Sequence, residues 1–158
     1  GMKITLITVG KTAFPFIEEG IMVYQKRLAH YCAFARNEIP ELKGVSALTK
    51  EQIKEREGEL ILKNIKEQDN VVLLDERGTH FDSEGWAEEL RKREIYGGRD
   101  MVFVIGGAYG FSQGVYKRAN QMLSLSKMTF SHQIIRLIFM EQLYRAFTII
   151  RGEPYHHK

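Results

Sequence analysis

Five short β-like runs that alternate with helical patterns constrain this chain more than any other feature. The runs are Lys3–Val9, Phe34–Ile39, Val71–Leu74, Met101–Ile105 and Met122–Leu125. Val71–Leu74 and Met101–Ile105 are apolar throughout, the pattern of strands buried on both faces of a parallel sheet. Pro15 can open a helix continued by Phe16 to His30. After the polar loop Glu41–Leu48, Thr49 and Gln52 form a capping-box pattern ahead of a charged helix reaching about Lys66. Asp82 or Ser83 caps a helix from Glu84 to about Ile95, and Phe111 to Asn120 reads as a short one. This alternation predicts an α/β fold, a mainly parallel sheet with helices on both faces. Ligands of such sheets bind beyond the carboxyl ends of the strands.

The 158 residues suit a single domain spanning 1–158. Gly1 before Met2 reads as a remnant of tag removal. No apolar run approaches the ~20 residues that span a bilayer, and Cys32 is the only cysteine. A cytoplasmic protein without membrane attachment is expected. The last helix, from about His132 to Ile150, is apolar nearly all round and must be covered on several sides. In so small a protein a second copy of the chain can supply one cover, so a homodimer is expected.

Charge is unevenly spread. Residues 1–114 carry 16 Lys+Arg and 18 Asp+Glu, whereas residues 115–158 carry 7 and 2. A basic segment can mark a polyanion-binding surface; it can equally be solvated charge placed by chance.

Three strand-end segments carry the unusual residues. Leu74-Asp-Glu-Arg-Gly78 places two carboxylates side by side, but no His or Cys accompanies them, so pairing with nearby arginines is favoured over metal. Gly106-Gly-Ala-Tyr-Gly110 sits between a buried strand and a helix, where glycine lets a ligand approach the backbone. It is not G-x-G-x-x-G. Gly10-Lys11-Thr12 lacks the earlier glycine of a P-loop, Thr5 standing there. Ser124 to His132 joins the fifth strand to the final helix, with Ser131 a candidate N-cap. Glu141, Arg145 and Thr148 make one polar stripe on that helix. All three strand-end segments should converge on one sheet edge, which favours a small-molecule pocket without naming the molecule.

The chain closely resembles the RlmH family in Val72-Leu-Leu-Asp-Glu-Arg-Gly78, Phe103-Val-Ile-Gly-Gly-Ala-Tyr-Gly110 and Leu123-Ser-Leu-Ser-Lys-Met-Thr-Phe-Ser-His-Gln133. The likeness extends to Met2–Lys11, Glu141–Phe147 and Arg151–His156, in order along essentially the whole chain. It departs at Ser131, where members often have proline, and at Thr79, where many have lysine.

The resemblance implies a SPOUT fold with a C-terminal trefoil knot, which periodicity alone does not show. It implies an S-adenosylmethionine-dependent enzyme, without metal, that methylates N3 of a pseudouridine in 23S rRNA. Carried over by motif, the cofactor contacts are Leu74, Gly106, Leu125, Ser126, Lys127, Met128, Thr129 and Phe130. Family members act late in ribosome maturation, and SPOUT enzymes build their sites across two subunits.

For the chemistry, Arg145 is the first candidate to stabilise charge on the imide, with His132 and His156 as bases. Arg136, Arg151, Tyr155 and Lys158 are expected to meet RNA. The tail Tyr155–Lys158 is assigned to catalysis or RNA binding rather than to folding. With a net charge of only +3 and no appended RNA-binding motif, RNA held in shape by the 70S ribosome is the expected substrate. The alternatives are a non-enzymatic RNA- or ribosome-binding α/β module and a nucleotide-binding oxidoreductase. The first-strand glycine fingerprint that an oxidoreductase needs is missing, and affinity for S-adenosylmethionine separates the methyltransferase from both.

Overall fold

The computed structural model describes residues 2–157. Strands β1 (Lys3–Val9), β2 (Ala33–Ile39), β3 (Asn70–His80), β4 (Met101–Ile105) and β5 (Gln121–Ser124) form one sheet in the order β2-β1-β4-β3-β5. Every pairing is parallel. Helices α1 (Pro15–Leu28), α3 (Ser83–Lys92) and α5 (Ile134–Ile150) pack together on one face; α2 (Lys50–Lys63) and α4 (Gln113–Arg118) share the other.

The period-two alternation of the strands divides the core. Ile4, Leu6, Val72, Phe103, Ile105 and Leu123 meet α1, α3 and α5, where Ile17, Ile21, Trp86, Leu90, Phe139 and Leu143 are buried. Phe103 and Phe139 rings lie 4.8 Å apart across this layer. Ile7, Val9, Val71, Leu73, Val102 and Val104 point the other way, against Ile61 and Val115.

The helix starts follow the residues that cap them. Both halves of the Thr49–Gln52 capping box form, at 2.9 and 3.1 Å. Asp82, rather than Ser83, caps α3 by accepting from Gly85 N at 2.7 Å. Ser131 Oγ accepts from Ile134 N at 3.1 Å, one turn before α5 settles into regular geometry.

Several boundaries shift by one to three residues from the sequence expectation, and two differences change the local structure. Helix α3 ends at Lys92 and continues as a single π-turn, Arg93–Gly97, closed by Gly98 at φ +66°. Strand β3 runs to His80 instead of stopping at Leu74. Leu123 of β5 pairs with both Leu74 and Thr79, so the intervening residues 75–78 are extruded as a bulge and the strand then resumes. Gly78 permits this: a Cβ there would lie 2.6 Å from Leu123 N and from the Met122 carbonyl carbon.

Arg136, expected among the phosphate contacts, is corrected by its burial. It is 1% exposed. Its guanidinium donates to Val9 O (2.8 Å), Gly10 O (3.0 Å), Thr12 Oγ1 (2.9 Å) and His132 O (3.1 Å), with the Glu38 carboxylate at 3.4 Å. The carbonyls beyond the end of β1 need donors, and a guanidinium carries five in a fixed fork. Arg136 is therefore spent inside the protein. Lys158 and Gly1 lie outside the described residues.

Gly78→Ala is expected to destabilise the fold by about 1–3 kcal/mol through backbone overpacking. Urea denaturation of both proteins measures it, and an unchanged midpoint would contradict the tight approach of β3 to β5.

Candidate active site

Beyond the carboxyl ends of β3, β4 and β5 lies a cavity of about 530 Å³. Its volume falls within the range of sites that enclose a drug-sized ligand. The three loops singled out from the sequence meet here: the bulge 74–77, the glycine loop 106–110 and the connection 123–132. Leu74, Ile105, Phe111, Leu123, Leu125 and Ile135 give it an apolar lining. The parallel sheet brings these ends together, whereas in sequence they are about 30 and 20 residues apart.

Glycine shapes the second loop in two ways. Gly110 adopts φ +83° and donates to Gly107 O at 3.2 Å, closing a turn that a side chain would strain. A Cβ on Gly106 would stand 3.0 Å from the Phe111 ring, so the missing side chain makes room for that ring beside the cavity. In the third loop, Ser126 Oγ accepts from Met128 N and Ser124 Oγ donates to Ser126 O, both at 2.9 Å. These bonds order the backbone while leaving Met128 largely exposed. Thr129 Oγ1 donates to Glu76 at 3.2 Å and ties this loop to the bulge.

Asp75 anchors the bulge from within. It accepts from Arg77 N at 2.8 Å and from Tyr116 Oη at 2.6 Å. Burial alone would raise its pKa, but the hydrogen bonds from Arg77 and Tyr116 outweigh this and hold the carboxyl below its ordinary value. Arg77 also reaches Tyr116 Oη and stacks on its ring, 5.0 Å from the centroid. The expected arginine pairing of Asp75 is thus present. Tyr116, from α4, was not apparent from the sequence, because nothing local marks a tyrosine in a short helix as facing a strand-end loop.

Of the residues expected at the cofactor, Leu74, Gly106, Leu125, Ser126, Met128, Thr129 and Phe130 line the cavity; Lys127 is exposed and does not. His132 lines it as well. Arg145 and His156 do not. Ile135 touches the cavity, and Arg145 lies ten residues further along α5, about 15 Å of helix rise.

Arg145 and His156 form a separate cluster with the tail. Arg145 holds Glu141 at 2.7 Å and donates to His156 Nδ1 at 3.0 Å. His156 Nε2 then carries the ring proton and faces Glu84 at 3.5 Å. Tyr155 donates to Glu141 at 2.8 Å, and its ring covers the Arg145 guanidinium at 4.9 Å. Burial and the Glu141 hydrogen bond both raise the Tyr155 pKa, keeping it a donor. Arg151 is half exposed, 3.9 Å from Glu94. The tail is therefore packed onto α5 as well as polar, so the expectation that it takes no part in folding does not describe Tyr155 and His156. Among the described residues no group of three or more His, Cys, Asp or Glu side chains gathers as a metal site would require, and no helix is long and apolar enough to cross a membrane.

A wholly parallel sheet with a glycine-shaped cavity at its carboxyl edge is the frame of a nucleotide- or cofactor-binding α/β protein. A family model described as predicted SPOUT methyltransferase matches residues 2–156 and defines the class. The chain is 53% identical to the ribosomal RNA large subunit methyltransferase H of Christiangramia forsetii, covering 99% of this chain and 100% of that protein. The proteins of the same name from Parabacteroides distasonis and Flavobacterium johnsoniae are each 52% identical over the same shares. The chain belongs to this RlmH family of SPOUT methyltransferases.

Gly106→Val is expected to push Phe111 into the cavity and to lower S-adenosylmethionine affinity at least about tenfold, with a stability loss of about 1–3 kcal/mol because Phe111 is also a core side chain. Titration calorimetry on both proteins checks it. Equal binding by the variant would place the cofactor elsewhere.

Proposed function

We propose that this protein transfers a methyl group from S-adenosylmethionine to N3 of a pseudouridine in 23S rRNA, acting in the cytoplasm as a homodimer on the assembled 70S ribosome. The observation that carries the reading is the single cavity built by the three family-matching loops. Its chemistry fits the donor: an apolar slot for adenine, backbone groups of residues 124–130 for the polar edge, and glycines that admit close approach. Leu74, Gly106 and the 125–130 loop would hold it.

S-adenosylmethionine supplies an already activated methyl electrophile. This chain must orient the base, exclude water and take up the N3 proton. His132, at the cavity, is the base nearest to hand. Arg145 is the cation suited to the imide charge that develops as the proton leaves. Its separation from the cavity within one chain supports delivery from a second copy, together with His156 and Tyr155. Arg151, half exposed, would meet a phosphate.

The helix pair α1–α5 offers the surface for that copy. Leu137 packs over Gly20, and the same pair leaves Phe16 and Val23 exposed and Leu137 and Ile138 half exposed. A trefoil knot accords with the chain path: β5 forms one edge of the sheet, and the next segment returns past the cavity to begin α5 against the β1–α1 loop.

The net charge of +3 per chain is small for holding bare RNA. Tritiated methyl transfer is expected to be far faster on 70S particles lacking the modification than on free 50S subunits or naked 23S rRNA. Equal rates on all three would show recognition of a short RNA segment alone. Light scattering at micromolar concentration is expected to give twice the chain mass of 18.3 kDa; a monomer mass would remove the shared site.

A further inference from the structure

A second cavity, of about 330 Å³, lies at the opposite edge of the sheet, among the segments that lead into β3, β4 and β5. Its lining is polar apart from Gly97: Asn70, Arg93, Arg99, Asn120 and Gln121. The surrounding structure sets these groups in place. Arg118 donates to the carbonyls of Lys66 (2.8 Å), Glu67 (3.2 Å) and Asp69 (3.0 Å), tying the turn before β3 to the end of α4. Asn120 Oδ1 is held by Val71 N at 2.8 Å and Arg118 at 3.2 Å, which leaves its amide N–H groups for the cavity. The Gln121 amide, turned so that its oxygen meets the Arg93 guanidinium, steadies that side chain.

Two features of this cavity are unmet within the chain. Among the described residues no carboxylate pairs with Arg93 or Arg99, while the neighbouring acids are engaged: Asp100 by Lys3 N, Asp69 by Lys66 N and Glu94 by Arg151. Asn70 is 5% exposed, and its amide oxygen is buried without a donor. Two guanidinium forks with amide donors beside them suit the oxygens of a phosphate.

We propose that this cavity binds a backbone phosphate of the substrate RNA, a second anchor about 16 Å, the length of β4, from the methyl-donor cavity. The proposal rests on the reading of the protein as an RNA methyltransferase and supplies cationic contacts that Arg136, being buried, does not.

The test is the variant carrying Arg93→Gln and Arg99→Gln, two exposed positions away from the donor cavity. Its melting temperature and S-adenosylmethionine affinity should match the unmutated protein. Its affinity for unmethylated 70S ribosomes should fall about tenfold at moderate salt, and the slope of log affinity against log salt should shrink by about one, as for one phosphate lost. Unchanged affinity and slope in the arginine variant would overturn the proposal. So would arginine-dependent binding of inorganic phosphate, followed by calorimetry, with ribosome affinity unmoved; the site would then serve a free anion. If the unmutated protein binds ribosomes through these arginines yet transfers no methyl, the anchor stands and the enzymatic reading falls. Full transfer unaffected by the substitutions has the opposite meaning.

Discussion

The buried guanidinium of Arg136 holds the two halves of this molecule together. It sits at the start of α5, yet most of its bonds go to the carboxyl end of β1, residues more than 120 positions earlier in the chain. Gln133 reinforces it, accepting from Ala13 N and donating to Lys11 O as a backbone segment would. Placing such a cation in the interior is tolerable because each of its three nitrogens donates to oxygen and Glu38 lies beside it. The consequence reaches the cavity, since the same guanidinium donates to the His132 carbonyl and so fixes the end of the loop that lines it.

The loops gain their shape from contacts with one another, not from their own sequences. Leu123 pairs twice along β3, and the extruded residues 75–78 become one wall of the cavity. Asp75 then reaches across to Tyr116, and Glu76 to Thr129. Among the described residues no non-glycine backbone adopts a positive φ. Its rim, with Tyr109, Met128 and Phe130 exposed, offers surfaces on which a base can stack.

The polar stripe on α5 shows how one helix serves two purposes. Phe139, Leu143 and Phe147 bind it to the sheet, while Glu141 and Arg145 on another face gather Tyr155 and His156 from the returning tail. Helical i,i+4 ion pairs such as that of Arg145 and Glu141 contribute modestly to stability. What this pair does, with the Arg145–His156 contact, is hold a cation and an imidazole in a fixed relation.

The strand runs, the capping boxes, the glycine loop and the three strand-end segments were legible in the sequence, because period-two alternation, capping side chains and glycine act over a few residues. The family likeness lay in the same segments. Three things were decided only by tertiary structure. The bulge of β3 depends on Gly78 passing against Leu123, a contact across 45 residues that no local pattern encodes. The fate of Arg136 depends on which carbonyls lie unpaired at the end of β1; a charge on an apolar helix reads as surface until its partners are known. The distance of Arg145 and His156 from the donor cavity follows from the straight rise of α5, which makes residues close in sequence far apart in space. Local chemistry named the pieces, and long-range packing chose which of them face one another.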